Sequence, residues 1–254
     1  MRKFHFVNNE IYHIYNRGVE KRDIFLEKLD YLRFVHDLFI FNNENELTLP
    51  SNVRFSLRTP SQIDEQYLNQ CLEIGSPNIE KGKPRKLLIE ILAFCLMPNH
   101  YHLLLRQKRD NGIIKFMQKL GIGYTMYFNQ KYKRNGVLFQ GKFKATWVNQ
   151  EDYFDYILYY IHLNSLDLIE PKWREEEIKN LQKAISFLNS YRWSSHLDYI
   201  GKKNFPSVTQ RDFLLNYLGG ERAYKDNIIN LLKEMNKTNK DKFNKNEFKI
   251  LTLE

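Results

Sequence analysis

Two histidines one residue apart, His100 and His102, stand in the stretch Leu96-Met97-Pro98-Asn99-His100-Tyr101-His102-Leu103-Leu104-Leu105. In an extended segment, side chains at i and i+2 share a face, so both imidazoles are offered side by side. Two neutral imidazoles at that spacing can hold one divalent metal ion. A second set lies between residues 150 and 164, where Tyr153, Tyr156, Tyr159, Tyr160, His162 and Asn164 cluster. On a helix, Tyr160 and Asn164 sit one turn apart and stack a phenol over a carboxamide. Aromatic residues at helical spacing also pack cores, which is the plain reading of Tyr156, and of His162 about 200° around the helix from Tyr160. If the Tyr160 face meets the histidine face, the result is two imidazoles, an amide oxygen and a phenol. That set can bind a divalent ion and hold a nucleophile beside it.

The elements that must position these groups follow from periodicity. Residues 11–17 alternate as a strand and end at Gly18, and apolar positions from Ile24 to Phe41 recur at helical spacing. Residues 42–86 carry Pro50, Pro60, Pro77 and Pro84 amid scattered charge and read as an inserted loop region, with a short helix around 62–72. An apolar run from Leu87 to Leu96 and the segment 100–106 form two strands joined by the Pro98-Asn99 turn, since proline pre-sets the first corner and asparagine tolerates the second. Gly112 to about Lys131 reads as a helix that Gly121 and Gly123 weaken. Residues 142–148 make a fourth strand, and Asn149 with Asp152 suggests a capped start for the helix running to about Asn164. The order β-α-β-β-α-β-α predicts an α+β fold, a ferredoxin-like or RRM-like antiparallel sheet with helices on one face. Helices are expected at 175–188 and 222–235, before a loose tail rich in Lys and Asn. The domain reading is 1–200 for the body and 201–254 for a helical C-terminal extension and basic tail.

Five ordered blocks make the pattern more specific. They are Tyr12-His13-Ile14-Tyr15-Asn16-Arg17-Gly18, Met97 to Leu104, Phe139-Gln140-Gly141-Lys142-Phe143-Lys144, Tyr160-Ile161-His162-Leu163-Asn164 and Tyr191-Arg192-Trp193-Ser194-Ser195. Together they resemble the REP-associated tyrosine transposases of the single-tyrosine HUH superfamily over roughly residues 10–200. The resemblance implies that His100 and His102 bind Mg²⁺ or Mn²⁺, that Asn164 completes the metal shell, and that Tyr160 attacks phosphorus to leave a 5′-phosphotyrosine and a free 3′-hydroxyl. Tyr156 and Tyr160 also have the spacing of two-tyrosine relatives, but the Ile-His-Leu-Asn that follows Tyr160 matches the single-tyrosine motif. The family commonly continues Asn-Pro-Val-Arg-Ala; here Ser165-Leu166-Asp167-Leu168 follows, which removes one arginine that could meet a phosphate. Relatives act as monomers or as dimers that exchange the tyrosine helix, and the motifs do not choose between them.

Charge points to the same substrate by a separate route. The formal charge is +9, which favours a polyanionic partner. Residues 111–147 hold Lys115, Lys119, Lys131, Lys133, Arg134, Lys142 and Lys144 and no acid. Interleaved Tyr124, Tyr127, Phe128, Tyr132, Phe139 and Phe143 either stack bases or lie buried beneath a solvated basic face. Arg17 is a further phosphate candidate. Cys71 and Cys95 have no metal spacing and fit a reducing compartment. The N-terminus shows no apolar signal core, and Ile91–Met97 is too short an apolar run to cross a bilayer. The expectation is therefore a cytoplasmic enzyme acting on single-stranded or hairpin DNA, with no membrane partner. The rivals are a non-catalytic nucleic-acid-binding protein and a metal hydrolase that uses water.

Overall fold

The computed structural model describes residues 5–44, 85–176 and 178–237. Its centre is a four-stranded antiparallel sheet of β1 (Ile11–Arg17), β2 (Ile89–Met97), β3 (His100–Gln107) and β4 (Lys144–Trp147), in the spatial order β2-β3-β1-β4. Helix α1 (Lys28–Ile40) connects β1 to β2, and α2 (Gly112–Lys131) connects β3 to β4. This is the split βαβ arrangement expected from the order of elements. Helix α3 (Glu151–Leu163) follows β4, and α4 (Leu181–Leu188), α5 (His196–Tyr199), α6 (Asp212–Leu218) and α7 (Glu221–Lys237) complete the described chain.

Strand alternation sorts two cores onto the two faces. Tyr12, Ile14, Tyr101, Leu103 and Leu105 point to one, where α1 and α2 cover them with Leu32, Val35, Phe116 and Leu120. Ile11, Leu104, Cys95 and Met97 point to the other and meet Ile157 and Ile161 of α3, with Leu214, Tyr224 and Ile228 from the later helices. The sheet is thus covered on both faces rather than on one, because its strands are apolar on both sides. A bulge between Ile91 and Ala93 shifts the parity of β2, so that Cys95 and Met97 join the face that carries the histidines.

The Pro-Asn turn between β2 and β3 is held from outside. Ile24 and Phe25 donate backbone N–H groups to the Pro98 carbonyl, and Gly18 N–H donates to that of Asn99 at 2.8 Å. A Cβ at Gly18 would stand 2.1 Å from the Arg22 carbonyl oxygen, so only glycine lets this loop close. Tying Ile24 and Phe25 to the turn also delays α1 to Lys28, where Glu27 and Asp30 form a reciprocal capping box. Gly123, which weakened the helix reading of α2, admits the Phe41 ring: a Cβ there would lie 2.6 Å from it.

Other boundaries moved for local reasons. Helix α3 is preceded by Gln150 rather than Asn149, and no side chain caps it; Glu151 and Asp152 supply favourable charge in its first turn. Helix α4 begins at Leu181 instead of 175, where the Asn180 side chain accepts from Lys183 N–H. Helix α6 had no strong periodic signal. The short helix expected near 62–72, most of the 42–86 region and the tail beyond 237 lie outside the described residues.

The Trp193-Ser194-Ser195 block docks against β2. Leu96 N–H donates to the Trp193 carbonyl and Ser195 N–H to that of Phe94. His162 lies beside it, fully buried, with Nε2 2.7 Å from Ser195 Oγ and Nδ1 2.7 Å from the Tyr224 hydroxyl. Its role is to join α3, the serine block and α7, as its place on the helix suggested.

Candidate active site

β3 lies inside the sheet, paired with both β2 and β1. His100 faces Arg17 across the ladder and His102 faces Tyr15. Their ring centroids are 5.1 Å apart and nearly perpendicular. Helix α3 crosses this face and lays Tyr160 against it, with the Tyr160 ring 5.7 Å from that of His102, edge to face. The tyrosine helix of the chain therefore meets the histidine strand of the same chain. Asn164, one turn later, donates Nδ2 to the Tyr160 carbonyl at 2.8 Å. Tyr156 is half-buried, its ring 6.3 Å from that of Tyr160.

Two further residues enter that the sequence reading did not place there. The first is His13. It stands on β1 opposite Leu104, diagonal to His102, and its Nε2 is 2.9 Å from His102 Nδ1. The Tyr153 hydroxyl reaches the other side of the His13 ring, 3.4 Å from Nδ1. The only hint in the sequence was that His13, Tyr15 and Arg17 share a strand face; pairing it with His102 required the register. The second is Arg174, in the turn after the Asn164–Leu168 3-10 segment. Its guanidinium donates to Asn164 Oδ1 at 2.8 Å and to Asp167 Oδ1 at 2.6 Å, and its Cζ is 5.4 Å from the Tyr160 ring centroid. No periodic pattern marks that turn.

Burial governs the electrostatics. It pushes His102 well below the ordinary imidazole range, and His100, His13 and Arg174 push in the same direction. His13 is lowered to about 3 by burial alone. Both rings are therefore neutral near pH 7, the state in which an imidazole can coordinate a metal. Burial raises the Tyr153 and Tyr156 phenols, so both stay protonated.

The donors present suit a divalent ion. His102 Nε2 is buried with no hydrogen-bond partner among the described residues, which leaves a lone pair for a metal to use. Among these residues, no group of three or more His, Cys, Asp or Glu side chains converges on a point. An ion would therefore draw on the His100 and His102 imidazoles together with other oxygen donors; the Asn164 carboxamide oxygen already accepts from Arg174.

The basic residues divide between the two faces. Arg17 lies beside the histidines and donates Nε to Gln140 Oε1. Lys144 is exposed on the same face, 5.8 Å from the Tyr15 ring, and Lys142 is exposed in the preceding loop. Lys115, Lys119, Lys131, Lys133 and Arg134 belong to α2 and its end, across the sheet from the site. Lys131 is engaged by Glu27 and Asp30, and Lys119 donates to the Asn43 carbonyl. Of the aromatics offered as stacking platforms, Tyr124, Tyr127 and Phe128 are core residues, with Tyr124 donating to the Ile24 carbonyl and Tyr127 to Asp30. Tyr132, Phe139 and Phe143 also pack on that core. The reading with aromatics buried under a solvated basic face is the one realised.

A paired-histidine strand thus lies inside a split βαβ sheet and is faced by a helix that carries a tyrosine. Residues 64–164 match the family model described as "Transposase IS200 like", a span that takes in the histidine strand and ends at Asn164. That match upholds the recognition made from the motif blocks. No curated protein matches the chain. Among solved structures, one described as "Structure of the REP associates tyrosine transposase bound to a REP hairpin" shares 10% identity, over 82% of this chain and 88% of that chain, at a TM-score of 0.45. No helix of the described residues is long and apolar enough to cross a membrane.

Proposed function

We propose that the protein is a metal-dependent single-strand DNA endonuclease and strand transferase that acts on hairpin-bearing DNA through a covalent tyrosine intermediate. The observation that supports this reading best is the edge-to-face approach of the Tyr160 ring to His102 at 5.7 Å between centroids.

In this reading the Tyr160 oxygen bonds to phosphorus as the bond from phosphorus to the 3′-oxygen breaks. The phenol gives up its proton and the departing 3′-oxygen gains one, leaving a 5′-phosphotyrosine and a free 3′-hydroxyl. The phosphodiester energy is retained in the new linkage, so the strand can be rejoined without ATP. His100, His102 and Asn164 would hold Mg²⁺ or Mn²⁺, whose chemistry is to polarise the phosphate. The sheet and α3 keep the phenol and the imidazoles in register, while His13 orients the His102 ring. Arg17, Lys142 and Lys144, on or near the histidine face, would meet the backbone of a bound strand, and the α2 cations would meet more distant phosphates. The site would be built from one chain, and the cytoplasm or nucleoid is where such a substrate occurs.

The test is incubation of the full chain with labelled single-stranded hairpin DNA and Mn²⁺, read on a denaturing protein gel. A labelled protein band that requires metal and disappears in Tyr160→Phe is the expected result. Equal cutting by both proteins with no adduct would replace this mechanism with hydrolysis by water. Binding without cutting across varied hairpins would point to a nucleic-acid-binding protein.

A further inference from the structure

Arg174 puts a permanent positive charge beside Asn164, Asp167 and the Tyr160 ring. Nη2 donates to Asn164 Oδ1 at 2.8 Å, and Nη1 donates to Asp167 Oδ1 at 2.6 Å as an ion pair. The same Asp167 oxygen accepts from Trp173 Nε1 at 2.6 Å, and the Trp173 ring lies 4.4 Å from the guanidinium carbon. Arg174 Cζ also sits over the Tyr160 ring at 5.4 Å, and its charge acts on His102 and Tyr156.

Helix-end support accounts for the two Nη contacts. It does not account for Nε, which is buried with no hydrogen-bond partner among the described residues. A buried donor left unsatisfied costs roughly 1–3 kcal/mol, a cost that an incoming acceptor would remove. The side chain is 16% exposed, so an edge of the group remains open to an incoming molecule. A planar guanidinium already fixed on one side is suited to grip the oxygens of a phosphate on the other.

We propose that Arg174 is a phosphate-binding residue of this site. Braced by Asp167, Asn164 and Trp173, its guanidinium donates to a non-bridging oxygen of the phosphodiester that Tyr160 attacks. The charge that builds on that oxygen as the Tyr160 bond forms is met by a group already in place. The chain thereby supplies from ten residues beyond Asn164 the cation that is missing directly after it. This inference rests on the tyrosine mechanism proposed above.

The experiment measures the rate of covalent adduct formation with two hairpins, one with a normal scissile phosphodiester and one with an uncharged methylphosphonate at that position. Wild type, Arg174→Met and Arg174→Lys are compared, with thermal unfolding and hairpin affinity as controls. Arg174→Met is expected to slow the reaction about a hundredfold on the phosphodiester and by no more than about tenfold on the methylphosphonate, as for removal of one preorganised donor to a developing charge. Arg174→Lys, which keeps the charge without the planar fork, should fall between and stands in if the methionine variant does not fold. An equal loss on both hairpins would make Arg174 a support for Asn164 alone and would overturn the proposal, as would a variant with wild-type rates. Absence of any adduct in wild type would remove the tyrosine mechanism as well, which separates the two failures.

Discussion

Replacing His13 with leucine should weaken Mn²⁺ binding without touching a proposed ligand. The reasoning starts from His102, whose Nε2 is buried without a partner among the described residues and whose Nδ1 lies 2.9 Å from His13 Nε2. If Nε2 is to offer a lone pair, the His102 proton must be on Nδ1, where it donates to His13. The His13 proton then sits on Nδ1, facing the Tyr153 hydroxyl. Such an outer hydrogen bond fixes both the tautomer and the orientation of a ligating imidazole, and its loss typically costs 10–100-fold in metal affinity. That corresponds to about 1.4–2.7 kcal/mol. Leucine also leaves the His102 N–H buried without an acceptor, worth roughly 1–3 kcal/mol of folding stability. His13→Gln restores an acceptor and should recover much of the affinity. The assay is a Mn²⁺ titration at pH 7.5 followed by electron paramagnetic resonance, with urea unfolding to check the fold. A folded His13→Leu protein that binds Mn²⁺ as tightly as wild type would refute the tautomer argument.

Two predictions concern stability. Asp30 is wholly buried and accepts from Leu26 N–H, Glu27 N–H, Tyr132 Oη and Tyr127 Oη, besides pairing with Lys131; Asp30→Ala strands these four donors and leaves Lys131 its ion pair with Glu27, and urea unfolding should show a loss of about 3 kcal/mol or more. His36 and His196 are both lowered to about 3, chiefly by burial, so between that value and about 6.5 the unfolded chain binds protons that the folded chain does not. Stability should therefore be complete above the unfolded value and fall on acidification, by about 1.4 kcal/mol per histidine at pH 5.5. Urea midpoints at pH 7.5 and 5.5 check this, and equal midpoints would refute it.

Sequence periodicity determined the strands, both helices of the split βαβ unit and the tyrosine helix, because each has a side that must be apolar. Strands 11–17 and 100–107 and helix 112–131 could be read almost to the residue. The site was legible where its members are close in the chain: His100 with His102 across two strand positions, Tyr160 with Asn164 across one helical turn. It was not legible where members meet only through register or loop path. His13 reaches His102 because β1 pairs with β3 in one particular alignment, and a shift of one residue would turn its ring to the other face. Arg174 reaches Asn164 and Tyr160 because Asp167 and Trp173 fold its turn back onto α3. The aromatics between 124 and 143 show the converse. Their spacing suited base stacking as well as packing, and the choice fell to packing because α1 and the sheet bury most of that apolar surface and leave the polar α2 positions to solvent. Local pattern names the residues capable of chemistry, whereas long-range pairing decides which of them share a site.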